Sequence, residues 1–191
     1  DKGEWLGNLC YTPEEQVILD ECQLLAAKPV LFVANVSEGK HADETMVQAV
    51  RDFAGKRGAG VVTICGQLEA ELSLLPEAER ADFLKELELT ESGLVRLTRE
   101  AYMLLNLVTF FTAGEIESRA WPIARGTRAP QAAGKIHSDM ERGFIRAEVY
   151  HYDDLLACGS EAKVKEKGLF RLEGKDYVVK EADIVYFRFN V

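Results

Sequence analysis

The sequence predicts an α/β fold with a parallel sheet in its first half and an α+β fold in its second half. Two nearly continuous apolar strands, 30–34 and 61–64, flank a segment of helical periodicity that begins near Asp43. Such strands are typical of a parallel sheet that is covered on both faces. After about residue 107, strand-like segments dominate and are interrupted by one predicted helix, 130–142.

The composition is that of an ordinary globular protein. The 191 residues are 47% hydrophobic and 29% charged, which suffices for one large domain or two small ones. The net charge of −9 argues against a global attraction to nucleic acid or anionic membranes, so an RNA contact requires a local basic patch. No apolar run is long enough to span a bilayer, and we expect no membrane partner and a cytoplasmic location. The four cysteines lack metal-ligand spacing, so we expect reduced thiols and no metal site.

Three further helices are predicted in the first half of the chain. The acidic section 1–27 contains a capping box, Thr12-Pro13-Glu14-Glu15, with proline at the first helical position. A second helix opens at Pro76, and a third carries an apolar stripe that begins at Leu94. Because no methionine precedes the first section, we expect the chain to be part of a longer protein.

The second half contains the elements of a small β-grasp domain in their usual order. One helix crosses a sheet whose predicted strands are LVTFFT, ESRAWPI, FIRAEVY, LFRLEG, YVVK and IVYFRFNV. The residues 150–154 predict the end of a strand followed by a short acidic turn.

The stretch Asn35-Val36-Ser37-Glu38 follows the first strand of the parallel sheet. Ligands of open α/β sheets bind at the carboxyl ends of the strands. A carboxamide presents an oxygen and an NH2 group together, which matches the N6 donor and N7 acceptor of adenine. The second strand ends in the small-residue turn Cys65-Gly66, whose backbone N–H groups would approach the base from its other side. On this pattern alone, a turn or a helix cap is the commoner interpretation.

Four segments resemble the carboxyl-terminal half of the Obg-like ATPases, the YchF family of translation-factor-class P-loop proteins. They are KPVLFVANVSEG, VVTICGQLEAEL, LVTFFTAGEIESRAWPI and APQAAGKIHSDMERGFIRAEVYHYDDL. The resemblance covers nearly the entire chain and implies three sections. A remnant of a helical, coiled-coil arm occupies 1–27, and part of a P-loop NTPase-type nucleotide-binding domain occupies 28–106. A TGS domain, which is a ubiquitin-like β-grasp module, occupies 107–191.

The resemblance places residues 35–38 at the base-recognition motif that is N-K-x-D in GTPases. Val36 then stands in the place of the lysine, and Glu38 is one methylene longer than the usual aspartate. Guanine recognition needs a carboxylate that accepts from N1–H and the N2 amino group, and adenine offers neither donor. We therefore expect ATP to be preferred over GTP. The expected base pocket consists of Asn35, Val36, Glu38, Cys65 and Gly66.

The phosphate-binding part of an ATPase is missing from these residues. No G-x-x-x-x-G-K-[ST] motif occurs in the chain, so we assign no catalytic residue and expect no hydrolysis by the chain alone. The resemblance implies that the P-loop and the Mg²⁺ ligands lie in an amino-terminal portion, and we expect Mg²⁺ only with that portion. The alternative is a non-catalytic RNA- or protein-binding module with a vestigial nucleotide site.

A basic cluster lies early in the predicted β-grasp domain, where no acidic residue occurs between residues 119 and 137. Its members are Arg119, Arg125, Arg128 and Lys135, with Trp121 among them. Such a cluster suits a phosphate backbone, with the indole as a stacking surface. Alternatively, Trp121 belongs to the core and the arginines pair with Glu115, Glu117 and Glu141. The resemblance implies ribosome or RNA contact through the TGS domain and the helical arm, and nothing in the sequence predicts the oligomeric state.

Overall fold

The computed structural model of the chain describes residues 6–38, 44–114 and 117–190. The chain divides into two compact units, residues 1–105 and residues 106–191. Within the described ranges, no helix combines the length and apolar character that crossing a membrane requires.

The first unit is built on a two-stranded parallel sheet. Strand β1 (Leu31–Asn35) pairs with β2 (Gly60–Ile64), and helix α2 (Glu44–Gly55) connects the two. The register places Asn35 opposite Ile64, so both strands end at the same edge of the sheet. The pairing extends into the loop, where the Val36 N–H donates to the Ile64 carbonyl oxygen at 2.8 Å. The predicted β-α-β unit is confirmed, while Asp43, where its helix was expected to begin, lies outside the described residues.

Four more α-helices occur among the described residues of the first unit. They are α1 (Pro13–Cys22), α3 (Gly66–Leu74), α4 (Glu77–Glu86) and α5 (Gly93–Leu104). Helix α1 begins with the predicted capping box, in which the Glu15 N–H donates to Thr12 Oγ1 and the Thr12 N–H donates to Glu15 Oε2. The extent of helix α3 was not predicted, because its apolar side chains form no one-sided stripe.

The second unit is a mixed sheet with one helix across it, as the sequence predicts. Its strands are β3 (Leu107–Ala113), β4 (Ser118–Ala124), β5 (Phe144–His151), β6 (Arg171–Glu173) and β7 (Asp183–Phe189). They lie in the order β4-β3-β7-β5-β6. Strands β3 and β7, which are the first and last of the unit along the chain, are parallel neighbours. Helix α6 (Ala129–Ile136) buries its alanines against the sheet, where Phe110, Val149 and Phe187 belong to the same core. This arrangement is a β-grasp fold, and the predicted fold class is confirmed for both units.

The prediction of one helix over residues 130–142 is wrong. Helix α6 ends at Ile136, His137 is extended with φ −157° and ψ 139°, and a second helix, α7 (Ser138–Arg142), follows. The Asp139 N–H donates to His137 Nδ1 at 3.2 Å. This local hydrogen bond caps α7 and competes with a continuous helix.

Two other predictions in this unit are wrong. The segment after β5 is not an acidic turn but helix α8 (Tyr152–Cys158), followed by α9 (Glu161–Glu166). His151 caps α8 by accepting from the Asp153 N–H, and two carboxylates in the first turn suit the positive end of the helix. The segment YVVK contributes only an isolated bridge, between Val178 and Arg128.

A buried carboxylate fixes the start of β7. The Asp183 side chain is fully buried and its Oδ2 atom accepts from the Tyr177 hydroxyl at 2.6 Å and the Lys180 N–H at 2.8 Å. Arg171 Nη2 lies 3.6 Å from Asp183 Oδ1. Burial and the hydrogen bond to the Asp183 carboxylate raise the pKa of the Tyr177 hydroxyl well above its usual range. Tyr177 therefore stays a neutral donor and holds the loop before β7 against the core.

We expect Gly143→Ala to destabilise the second unit by roughly 1 to 3 kcal/mol. A Cβ on residue 143 would overlap the backbone carbonyl oxygen of Asn190. The backbone N–H of Asn190 also donates to the Gly143 carbonyl oxygen at 2.9 Å. Both contacting atoms are backbone, so neither moves without breaking this pairing. The matched control is Gly174→Ala, where a Cβ would meet open space. Chemical denaturation of the two variants measures the difference, and equal stabilities would contradict the steric argument.

Candidate nucleotide-base site

A side chain of β1 is hydrogen-bonded to the first residue of α3, which directly follows β2 where the sequence predicts a small-residue turn. The Gly66 N–H donates to Asn35 Oδ1 at 3.0 Å. A Cβ on Gly66 would lie 3.3 Å from the same oxygen, so a residue without a side chain suits this close approach. Oδ1 keeps a second lone pair, and Nδ2 has no acceptor among the described residues. The carboxamide is thus held in place with both of its polar atoms able to bind a ligand.

A cavity of about 580 Å³ lies at the carboxyl ends of β1 and β2. Val36, Glu38 and the free thiol of Cys65 line it, while Asn35 and Gly66 are outside the residues that form its wall. The structure therefore places three of the five predicted base-pocket residues around one cavity and joins the other two by a hydrogen bond. The volume is in the range of small-molecule sites.

Helix α5 is fixed beside this cavity by a residue from α3. The Glu69 carboxylate accepts from the Gly93 N–H at 2.7 Å and from the Leu94 N–H at 3.2 Å. Gly93 is buried against the end of β2, where a Cβ would lie 2.9 Å from Ile64 Cγ2. Ser92 completes the cap by accepting from the Val95 N–H at 3.2 Å. The first turn of α5 therefore has a defined position at the edge of the sheet.

Sequence reasoning missed Arg96, which lines the same cavity from α5. Its Nε atom is buried and has no hydrogen-bond partner in the described part of the chain. The sequence analysis considered only the apolar stripe of this helix. Arg96 lies three residues after Gly93 and therefore on the same face of the helix as Gly93. The signal that would have revealed it is the contact between Glu69 and Gly93, which sequence spacing does not show.

The charges around the cavity favour a neutral ligand over an anionic one. Among the described residues, its lining includes one guanidinium, that of Arg96, and four carboxylates, those of Glu38, Glu69, Glu86 and Glu88. A triphosphate would be repelled by this excess of negative charge. An uncharged aromatic base would not be, and the apolar side chains of Val36 and Leu68 offer it a surface.

We expect Glu69→Ala to destabilise the first unit by about 1 to 2 kcal/mol, because α5 loses two of its N-terminal hydrogen bonds. The matched control is Glu71→Ala on the same helix, whose side chain accepts only from Gln67 Nε2 at 3.3 Å among the described residues. Hydrogen exchange of the α5 amides reports the local free energy of opening. Equal protection of α5 in both variants would contradict the assignment of Glu69 as the cap.

Both the second unit and the whole chain match known proteins. Residues 107–190 match the family model YchF-GTPase_C, which carries the description "Protein of unknown function (DUF933)". The chain is 49% identical over 184 residues to the ribosome-binding ATPase YchF of Bacillus subtilis, covering 95% of this chain and 50% of that protein. The chain belongs to the YchF family.

Two further YchF proteins extend the comparison. The chain is 46% identical over 183 residues to the ribosome-binding ATPase YchF of Escherichia coli O157:H7, covering 96% of this chain and 50% of that protein. The solved structure of the YchF GTPase of Schizosaccharomyces pombe superposes with a TM-score of 0.81 at 30% identity, covering 97% of this chain and 50% of that one. The chain thus spans about half the length of the YchF relatives it matches.

The predicted basic cluster of this YchF chain is distributed over β4, the following turn and α6. The Arg119 guanidinium lies 4.3 Å from the ring centroid of Trp121, which is partly buried against the core and donates from Nε1 to Thr112 Oγ1 at 3.0 Å. Arg128 pairs with Asp176 at 2.9 Å, an acid that the sequence did not indicate as a partner. Lys135 lies in the last turn of α6.

The alternative interpretation of the cluster is confirmed only for Trp121, which belongs in part to the core. Glu115 lies outside the described residues. Within the described residues, neither Glu117 nor Glu141 pairs with an arginine of the cluster. Whether the cluster contacts RNA stays a prediction.

Proposed function

We propose that this chain is the carboxyl-terminal half of an ATPase that binds and hydrolyses ATP in preference to GTP and associates with the ribosome. The observation that carries the proposal is the Asn35 carboxamide, held by Gly66 beside a cavity that Val36 and Glu38 line. The names of the Bacillus subtilis and Escherichia coli relatives, ribosome-binding ATPase, support both the activity and the partner. A ribosome-associated protein is expected in the cytoplasm.

The proposed division of labour leaves phosphate chemistry to residues outside this chain. The chain supplies base recognition and the β-grasp unit, which we assign as the TGS domain. The P-loop and the Mg²⁺ ligands belong to the remaining half of the protein, in keeping with the half-length match to the relatives.

The Asn35 carboxamide selects adenine through both of its polar atoms. Nδ2 donates to N7, which adenine and guanine share, and the second lone pair of Oδ1 accepts from the N6 amino group. Guanine carries a carbonyl oxygen at the equivalent position, so it would bring two acceptors face to face. The Gly66 N–H bond keeps the carboxamide in the orientation that makes this distinction.

Val36 and Glu38 weaken guanine recognition further. The Val36 side chain packs beside the base and supplies no ammonium group. Glu38 lines the cavity with an exposed side chain, and it is longer than the aspartate of the GTPase motif. Both features reduce the affinity for GTP without reducing that for ATP.

The intact mass of the native protein tests whether the chain is half of an ATPase. We expect a mass about twice that of the 191-residue chain, together with ATP hydrolysis that depends on Mg²⁺. A native protein no longer than this chain, with neither ATP nor GTP bound, would contradict the proposal. The function would then be that of an RNA- or protein-binding module with a vestigial nucleotide site.

We further propose that the basic cluster contacts ribosomal RNA. The Arg128–Asp176 pair is exposed, and such surface pairs contribute little, so an RNA phosphate competes readily for the guanidinium. Co-sedimentation with ribosomes at increasing salt tests this contact. We expect weaker binding and a shallower salt dependence for the Arg125→Gln and Arg128→Gln double variant. The control Lys163→Gln, an exposed site on α9, should behave as the wild type.

A further inference from the structure

We propose that Arg96 reads the N1 atom of adenine and thereby rejects guanine. This inference rests on the proposed function, because it requires the base to occupy the cavity beside Asn35. It adds a hydrogen-bond donor on the Watson–Crick edge of the base, which is adjacent to the N6/N7 edge that Asn35 contacts.

The position of Arg96 follows from the contacts that fix α5. Glu69 holds the Gly93 and Leu94 N–H groups, and Gly93 packs on Ile64 at the end of β2. Arg96 lies one turn further along the same face and lines the cavity. Its side chain is therefore placed by the scaffold rather than by a flexible loop.

The unpartnered Nε atom indicates that an acceptor is missing. A guanidinium is charged at every physiological pH, and burying one of its N–H donors without an acceptor is costly. Arg96 Nε is buried and has no hydrogen-bond partner in residues 6–38, 44–114 and 117–190, although carboxylates line the same cavity. By contrast, Arg99 on the same helix is paired with Glu91. A ligand acceptor at the cavity would satisfy Arg96.

The chemistry of the base edge decides which acceptor this is. Adenine N1 has a lone pair and accepts a hydrogen bond, whereas guanine N1 carries a proton and donates one. A GTPase motif places a carboxylate at this edge, and here Glu38 shares the cavity with a guanidinium. Arg96 supplies a donor where the GTPase motif supplies an acceptor, so the site suits the N1 acceptor of adenine. The N1–H donor of guanine would face another donor.

The test uses ATP analogues that lack one ring nitrogen each. In the native wild-type protein, we expect 1-deaza-ATP to bind roughly 10- to 100-fold more weakly than ATP, as for loss of one charge-assisted hydrogen bond. The Arg96→Met variant should bind ATP and 1-deaza-ATP equally and should bind GTP no more weakly than the wild type does. Arg99→Met should keep the wild-type ratio between ATP and 1-deaza-ATP.

The possible failures are distinguishable. Equal binding of ATP and 1-deaza-ATP by the wild type would overturn the role of Arg96 without requiring any variant to fold. An Arg96→Met protein that still prefers ATP to 1-deaza-ATP would overturn it as well, and would leave Arg96 a structural role only. Under either outcome, a loss of affinity for 7-deaza-ATP that disappears in Asn35→Ala would leave the proposed function intact. A native protein that binds no ATP would overturn both.

Discussion

Asn35→Ala in the native protein is expected to lower the affinity for ATP by roughly 30- to 150-fold. The substitution removes two hydrogen bonds to the base, for an expected loss of about 2 to 3 kcal/mol. It also removes the acceptor that holds the Gly66 N–H at 3.0 Å, so the turn after β2 loses its link to β1. Displacement of a fluorescent ATP analogue at equilibrium measures the effect.

Asn35→Asp separates base recognition from the structural link. The carboxylate still accepts from the Gly66 N–H, but it has no donor for N7. We therefore expect the aspartate variant to retain the protection of the Gly66 amide from hydrogen exchange and to lose affinity for ATP. An ATP affinity within twofold of the wild type in both variants would contradict the role of Asn35 in reading the base.

Asp183→Ala is expected to destabilise the β-grasp unit by about 3 kcal/mol or more. The carboxylate is fully buried and its removal strands the Tyr177 hydroxyl and the Lys180 N–H, each of which is costly to leave without an acceptor. Hydrogen exchange of the amides of β5 and β7 reports the loss, because both strands belong to the core of this unit.

Asp176→Ala is the matched control for that substitution. Its carboxylate is also paired with an arginine, Arg128, but 91% of its side chain is exposed. We expect a change of less than about 1 kcal/mol, as for other exposed ion pairs. If the two aspartate variants lowered protection equally, burial would not be the source of the stability of Asp183.

The elements that the sequence predicted well are those with a long, regular pattern. The β-α-β unit of the first half has two apolar strands and an amphipathic helix, and these patterns depend on the sequence alone. The same holds for the capping box at Thr12 and for the central strands of the β-grasp sheet. The hydrophobic periodicity of these elements shows which face is buried, so they can be predicted without knowing the tertiary contacts.

The elements that were missed depend on single local contacts. His137 interrupts one helix and His151 starts another, and in each case the imidazole Nδ1 accepts one hydrogen bond from a backbone N–H. Such contacts decide where a short helix begins or ends when helix propensity over those few residues is weak, and the hydrophobic periodicity of the sequence does not reveal them. The roles of Arg96 and Asp183 depend instead on tertiary contacts. Arg96 is placed by the contact of Glu69 with Gly93, and Asp183 is enclosed by the loop that carries Tyr177.

The residues of the candidate site stay a prediction from the sequence, and the sequence did not predict how they are arranged. The five expected residues were found from two strand ends and a family resemblance. The hydrogen bond between Asn35 and Gly66 and the shared cavity of the other three required the parallel register of β1 and β2. Of the four carboxylates that line the cavity, only that of Glu38 was part of the prediction. The other three come from α3, from the end of α4 and from the residues just after it: Glu69, Glu86 and Glu88.

Equilibrium competition between ATP and GTP for the native protein tests the central claim most directly. If Asn35, Val36 and Glu38 form an adenine site, ATP should displace a bound fluorescent ATP analogue at a concentration at least roughly tenfold lower than GTP. Displacement by GTP at an equal or lower concentration would contradict the adenine-reading account, whatever the affinity for ATP.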